Sequence, residues 1–241
     1  DFYWNISLNL AHNENEVTRL SNDVFTMDKI LLGDVFIRGG SSSGTHVLEE
    51  GRPIGQFYGL VCNGIDENGR YIMVDKDGDG EISDPADYDY IGSAQPKLTY
   101  GITNTFRYKN FDLSFFLRGT IGNDILNATR MAYAQSGFLP GTNALDDPLT
   151  YTLSETPRFS NYYLEKGSFM RLDNLTLGYK IKALNGIRVY FTAQNLFVIT
   201  KYKGLDPEVP MDSGDGLTPG VEPREFYPKA RTFSVGLNLN F

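Results

Sequence analysis

Apolar residues recur at every second position in several separate stretches of the chain. In FYWNISLNL, Phe2, Trp4, Ile6, Leu8 and Leu10 alternate with Tyr3, Asn5, Ser7 and Asn9. In TFSVGLNLNF, Phe233, Val235, Leu237, Leu239 and Phe241 alternate with Thr232, Ser234, Gly236, Asn238 and Asn240. A period of two is the mark of a strand with one apolar and one polar face. Leu98, Tyr100, Ile102, Phe106 and Tyr108 repeat it against Thr99, Gly101, Thr103, Thr105 and Arg107. Phe111, Leu113, Phe115, Leu117 and Ile121 do so against Asp112, Ser114, Arg118 and Thr120. The theme continues around Leu175, Leu177 and Tyr179, and around Ile187, Val189 and Phe191. The pattern predicts about seven antiparallel strands, near 1–12, 47–60, 98–108, 111–122, 169–181, 187–200 and 231–241.

These strands run about 10 residues, the length a tilted strand needs to cross a bilayer. A soluble sandwich also alternates, so the choice rests on three other features. The polar face carries Thr, Ser, Asn, Gly and Arg, which suits a wet lumen. Aromatics gather near strand ends, at Phe106, Tyr108 and Phe111. The connections are grossly unequal: Lys109–Asn110 and 182–186 are tight, whereas 51–97, 124–167 and 201–229 are long. Short turns on one side and long loops on the other define a transmembrane β-barrel. The expected fold is therefore all-β, with 1–241 a portion of one large barrel domain.

Seven strands leave two raw edges, which lipid does not tolerate. An odd count also sends the chain ends to opposite sides of the membrane. The opening DFYWNIS lacks a Met and already lies in a strand pattern. The remaining strands are expected from a longer polypeptide, on the N-terminal side. One phase defect stands out: Arg171 and Asp173 share the parity of apolar Leu175. Either a bulge resets the register there or these residues lie above the hydrocarbon.

Composition sharpens the picture in a few places. The 16 Phe, 15 Tyr and 25 Gly favour strands and turns. The net charge of −8 is mostly local, since Asp66 to Asp89 holds nine acids against Arg70 and Lys76. Without a basic patch, nucleic acid is excluded as a partner. Cys62 is the sole cysteine, so no disulfide forms within the chain. No run approaches the roughly 20 apolar residues of a membrane helix.

Within the acidic stretch, DKDGDGEISD matches the start of a calcium loop. Asp75, Asp77 and Asp79 take its first, third and fifth positions, Gly80 the bend, and Glu81 the seventh-position carbonyl. The match then departs, because the twelfth position is Ala86. Closure falls to Asp84 or Asp87, or to water. The competing reading is a solvated loop tip with Asp-Gly turns. A single structural Ca2+ of the weak extracellular kind is expected, and no switch, because no helix pair flanks the loop.

Other motifs carry less. GGSSSG at 39–44 contains G-x-S-x-G, but lacks the strand–turn–helix setting of a nucleophile elbow. His12 and His46 have no ligands at zinc spacing. Asp146–Asp147 before Pro148 reads as a cap or turn. Arg107, Asp112 and Arg118 fall on the lumen face, as substrate-path residues or as structural ion pairs. No catalytic set is expected.

Longer segments bring a family into view. SNYYLEKGSFMRLDNLTLGYKI followed by IRVYFTAQNLFVITKYKGLDPEV resembles the C-terminal region of SusC/RagA-type transporters, TonB-dependent outer-membrane receptors of Bacteroidetes. GRPIGQFYGLVCNGID, DKDGDGEISD and IGSAQPKLTYGITNTFRYKNFDLSFFLRG resemble preceding segments of that family in order. Terminal Phe241 is similar to the aromatic that outer-membrane barrels present to their assembly machinery. The resemblance implies a barrel of about 22 strands, of which these are the last, with the plug and TonB-contacting region outside this sequence. It implies energised import of large nutrients, glycans or peptides, with a SusD-like lipoprotein lid over the extracellular mouth. The alternative from another class is a secreted calcium-dependent binding module built around 75–87; a third is a membrane-barrel enzyme.

Overall fold

The computed structural model describes residues 2–38, 40–182, 187–209, 216–224 and 227–239. Terminal Phe241, the centre of the 182–186 turn and Gly39 of GGSSSG lie outside the described residues. In chain order the strands are β1 (Phe2–Ala11), β2 (Lys29–Ile37), β3 (Gly40–Glu49), β4 (Gln56–Leu60), β5 (Cys62–Ile65), β6 (Tyr71–Met73) and β7 (Tyr88–Ser93). They continue as β8 (Leu98–Tyr108), β9 (Phe111–Ile121), β10 (Asp124–Leu126), β11 (Leu164–Lys166), β12 (Phe169–Ile181), β13 (Ile187–Thr200) and β14 (Thr232–Asn238). Two short helices, α1 (Ala128–Tyr133) and α2 (Pro148–Thr152), lie between β10 and β11.

One antiparallel wall dominates, in the order β1-β8-β9-β12-β13-β14. Its register joins the alternating sequences into continuous rows. Trp4, Phe106, Leu113, Leu177, Phe191 and Val235 stand opposite one another across all six strands. Near the tight-turn edge, the row is Phe2, Tyr108, Phe111, Tyr179, Val189 and Leu237. The other face carries Asn5, Thr105, Ser114, Thr176, Thr192 and Ser234. Val235 is 75% and Phe233 58% exposed, so the apolar face would be an open patch in water and is satisfied in lipid.

The tight hairpin at Lys109, whose φ of 54° turns the chain, lies at one edge. All three long connections leave the opposite edge. Six of the seven predicted segments form this wall. The seventh, 47–60, does not: it bends through Gly51 (φ 78°) and Gly55 (φ 77°) into β3 and β4. These belong to a separate four-stranded sheet, β2-β3-β4-β7. The wall therefore has an even number of strands. The start of β1 and the end of β14 share the tight-turn edge instead of lying on opposite sides.

The phase defect resolves as a bulge. Between β9 and β12 the register shifts between Leu172 and Asn174. Leu172 then pairs with Leu117 on the apolar face, and Arg171 with Arg118 on the polar one. Asp173 is the extra residue, and it removes the parity conflict seen in the sequence.

Above the wall, the first and second long connections build a body with its own core. Val35, Ile37, Phe57, Leu126, Met131 and Phe159 are buried together, and Val221 of the third connection packs against them. Asn127 caps α1 by accepting from the Arg130 amide at 2.9 Å. Asp147 caps α2 through the Leu149 amide, with Pro148 in the first turn. Arg130 Nε also donates to Asp147 at 2.9 Å, tying the two helix starts together.

Candidate functional site

On the polar face of the wall, several charges are paired within the chain. Arg188 Nη2 and Nε donate to Asp112 at 2.5 and 2.9 Å. Arg118 Nε donates to Asp173 at 2.7 Å, and its terminal nitrogens grip Glu208. Arg107 lies 5.7 Å over the Tyr3 ring. Of the three lumen residues singled out by sequence, Asp112 and Arg118 are thus structural ion-pair members.

The sequence did not reveal Arg171, Asp206, Glu208 and Lys229. Arg171 is 3% exposed and donates to Asp206 at 2.5 Å, with Glu208 at 2.8 Å from its Nε. Lys229 Nζ reaches Glu208 at 2.6 Å. Burial pushes the Glu208 carboxyl up, but Arg118 and Lys229 outweigh it and hold the group below its ordinary value. The wrong parity of Arg171 was the available signal. The acids it pairs with lie about 35 residues on in a Pro/Gly-rich loop, where no pattern marks them. Between this loop and the wall is a cleft of about 400 Å3, lined by Thr99, Thr120, Asn123, Phe169, Glu208 and Lys229 among others.

The acidic loop sits in the body, between β6 and β7. Asp75 accepts the Gly78 amide at 2.6 Å and the Gly80 amide at 2.9 Å. Asp77 and Asp79 accept the amides two residues on, at 3.2 and 2.8 Å. Gly78 and Gly80 both have positive φ, which lets the chain fold back on itself. Asp87 is almost fully buried and accepts from Lys76 at 2.6 Å and Ser83 at 2.8 Å. The Ser83 and Lys76 amides hold its carboxyl below the usual range.

Oxygens of Asp75, Asp77 and Asp87 lie within 4.8 Å of one another. Asp84 instead bonds Arg158 at 2.6 Å. Of the two candidates for closing the loop, the geometry brings in Asp87. Asp79 and Glu81 are exposed and stand outside this trio among the described residues. An all-oxygen set of three carboxylates around a tight turn suits a hard cation such as Ca2+.

A two-faced, unclosed wall capped by a structured loop body defines a segment of a large outer-membrane barrel. No family model matches the chain. Along its whole length it is 35% identical to the TonB-dependent receptor SusC of Bacteroides thetaiotaomicron, spanning 25% of that protein. It is 32% identical to TonB-dependent receptor P3 of Formosa agariphila, again along its whole length, spanning 27% of that protein. The solved structure of the RagAB peptide transporter superposes on 98% of the chain with a TM-score of 0.74 at 25% identity, and 27% of that chain is covered. The chain belongs to the SusC/RagA-type TonB-dependent receptors of the outer membrane. It spans about a quarter of the length of the curated relatives it matches. These relatives are receptors, not enzymes.

Proposed function

We propose that this chain is the C-terminal stretch of barrel wall, with its extracellular loops, in a TonB-energised importer of large nutrients. The observation that carries the reading is the wall itself. Its apolar face is continuous over six strands, and β1 and β14 each pair on one side only among the described residues. Lipid requires the remaining edges to be closed by further strands of the same barrel. The missing strands, plug and TonB-contacting segment belong to the rest of a longer polypeptide. The imported solute is a glycan or a peptide; likeness to SusC and to RagAB supports an importer without choosing between them.

The loop body is the seat for a SusD-like surface lipoprotein. Exposed Tyr151 and the exposed Phe138–Leu139 tip offer apolar contact on the edge opposite the tight hairpin. A photo-crosslinking residue placed at Tyr151 or Leu139 in the full-length receptor should capture the lipoprotein; one at Lys109 should not. Adducts from Lys109 alone would refute the lid. Recovery of the native protein in the soluble fraction without detergent would refute the barrel. The secreted-module alternative loses its ground, because the acidic loop is one part of a body built on a membrane wall.

The same reading includes one calcium ion bracing that body, held by Asp75, Asp77 and Asp87, with Asp79 and the Glu81 carbonyl completing the set on a small rearrangement. Amide exchange of 75–87 in the full-length receptor should slow on adding Ca2+ to about 1 mM, and D75N/D77N should abolish the slowing. Equal exchange with calcium and with chelator would exclude the site.

A further inference from the structure

We propose that the two limbs Lys201–Val209 and 216–222 form a strut that makes the loop body and the inner barrel wall move as one unit. The proposal stands on contacts within this chain and does not depend on the solute imported. At the wall end, the first limb is clamped by charge. Arg171 of β12 holds Asp206 at 2.5 Å and Glu208 at 2.8 Å, while Arg118 of β9 grips Glu208 and is steadied by bulged Asp173. Arg171 and Asp206 are both 3% exposed, so separating them strands a buried charge.

At the body end, the second limb is stitched by backbone. The Leu126 amide donates to the Gly220 carbonyl at 2.9 Å, and the Glu222 amide returns to the Leu126 carbonyl at 3.0 Å. His46 Nε2, from β3, bonds the Pro219 carbonyl at 2.9 Å. Gly220 has φ +77°, and a Cβ there would lie 2.6 Å from the Ala94 Cβ. The limb is therefore seated without slack at the end of β7.

Glu222 joins the two ends. It is 1% exposed, and its carboxylate oxygens accept the Leu205 amide of the first limb at 3.2 Å and the Thr129 amide of α1 at 3.3 Å. Sliding one limb past the other would leave a buried carboxylate oxygen unpaired, a state that packed proteins avoid. The contact chain from Arg171 through Asp206, Leu205 and Glu222 to Leu126 is unbroken. A push on the extracellular body is thereby delivered to Arg118 and Arg171 on the lumen face.

The test is amide exchange on the full-length receptor in detergent, comparing wild type with D206N/E208Q and with E222Q. The double variant should raise exchange about tenfold at Leu205 and Glu208, and by a similar factor at Leu126 and Glu222, far from the altered side chains. A rise confined to 205–208 would overturn the strut. If the double variant fails to give a heat-modifiable barrel, E222Q decides alone. It keeps the side-chain volume, and it should loosen both the Glu208 and Leu126 amides; loosening on one side only would again overturn the proposal.

Discussion

The wall and the loop body are made from the same chain by opposite rules. In the wall, each strand is complete in its local pattern: the residue facing lipid at one position fixes the residue facing the lumen at the next. In the body, no segment of the sequence carries a core by itself. Phe57, Met131, Phe159 and Val221 come from three connections and meet only in three dimensions. The wall is held by register and solvent, the body by packing. Away from the strut that joins them, their responses to substitution should therefore separate.

Phe57→Ala should have the largest effect, about 3–5 kcal/mol by the usual cost of emptying a buried aromatic site. Phe57 is fully buried and its ring centroid lies 4.4 Å from that of His46. The loss should stay in the body. Trypsin should cut within 12–97 much faster in the full-length variant, while the barrel band keeps its heat-modifiable shift on a gel. Loss of the band shift would mean that body and wall fold as a single unit, and the contrast would fail.

Leu177→Arg makes the reciprocal cut. Leu177 lies on the apolar row between Leu113 and Phe191, one apolar row in from the tight-turn edge, so a cation there costs less than the roughly 2–4 kcal/mol of the bilayer midplane. Thr176→Arg, one residue away, points to the lumen and should cost far less. The readout is the yield of assembled barrel in lipid vesicles. Equal losses for the two variants would show that the faces are not divided as the register divides them.

The same difference explains what could be read in advance. The parity conflict at Arg171 and Asp173 was visible because a one-residue offset in a strand flips its side chains to the other face, and the bulge at Asp173 is where that offset falls. The stretch 47–60 was read as one strand, with Val47 and Leu48 apolar at one end and Phe57 and Leu60 at the other. The Gly51 and Gly55 bends between them send both limbs into the body's core. In the acidic loop, the order of Asp75, Asp77 and Gly80 was legible because a turn is a local object. That Asp87, and not Asp84, comes beside Asp75 and Asp77 was not, because Asp84 is drawn off by Arg158 from the second long connection.

The smallest effect should come from acid, and in the acidic loop Asp87 should carry it. Asp87 has its carboxyl held below the ordinary value by the Ser83 and Lys76 amides, which favour the charged form. A carboxyl depressed in the folded state adds stability above its unfolded pKa, about 3.9, and that contribution drains away as pH falls through the folded value. Lowering the pH from 6 toward about 3 should therefore loosen the 75–87 loop, read as faster exchange at the Lys76 and Ser83 amides in calcium-free buffer. The apolar rows of the wall carry no such group, and amides there, away from Asp112 and Glu208, should hold their exchange rates. Asp87→Asn keeps an acceptor oxygen for one amide and cannot titrate, so its loop should start looser and show no step with pH. A step of equal size in the Asn variant would show that Asp87 does not carry the acid response.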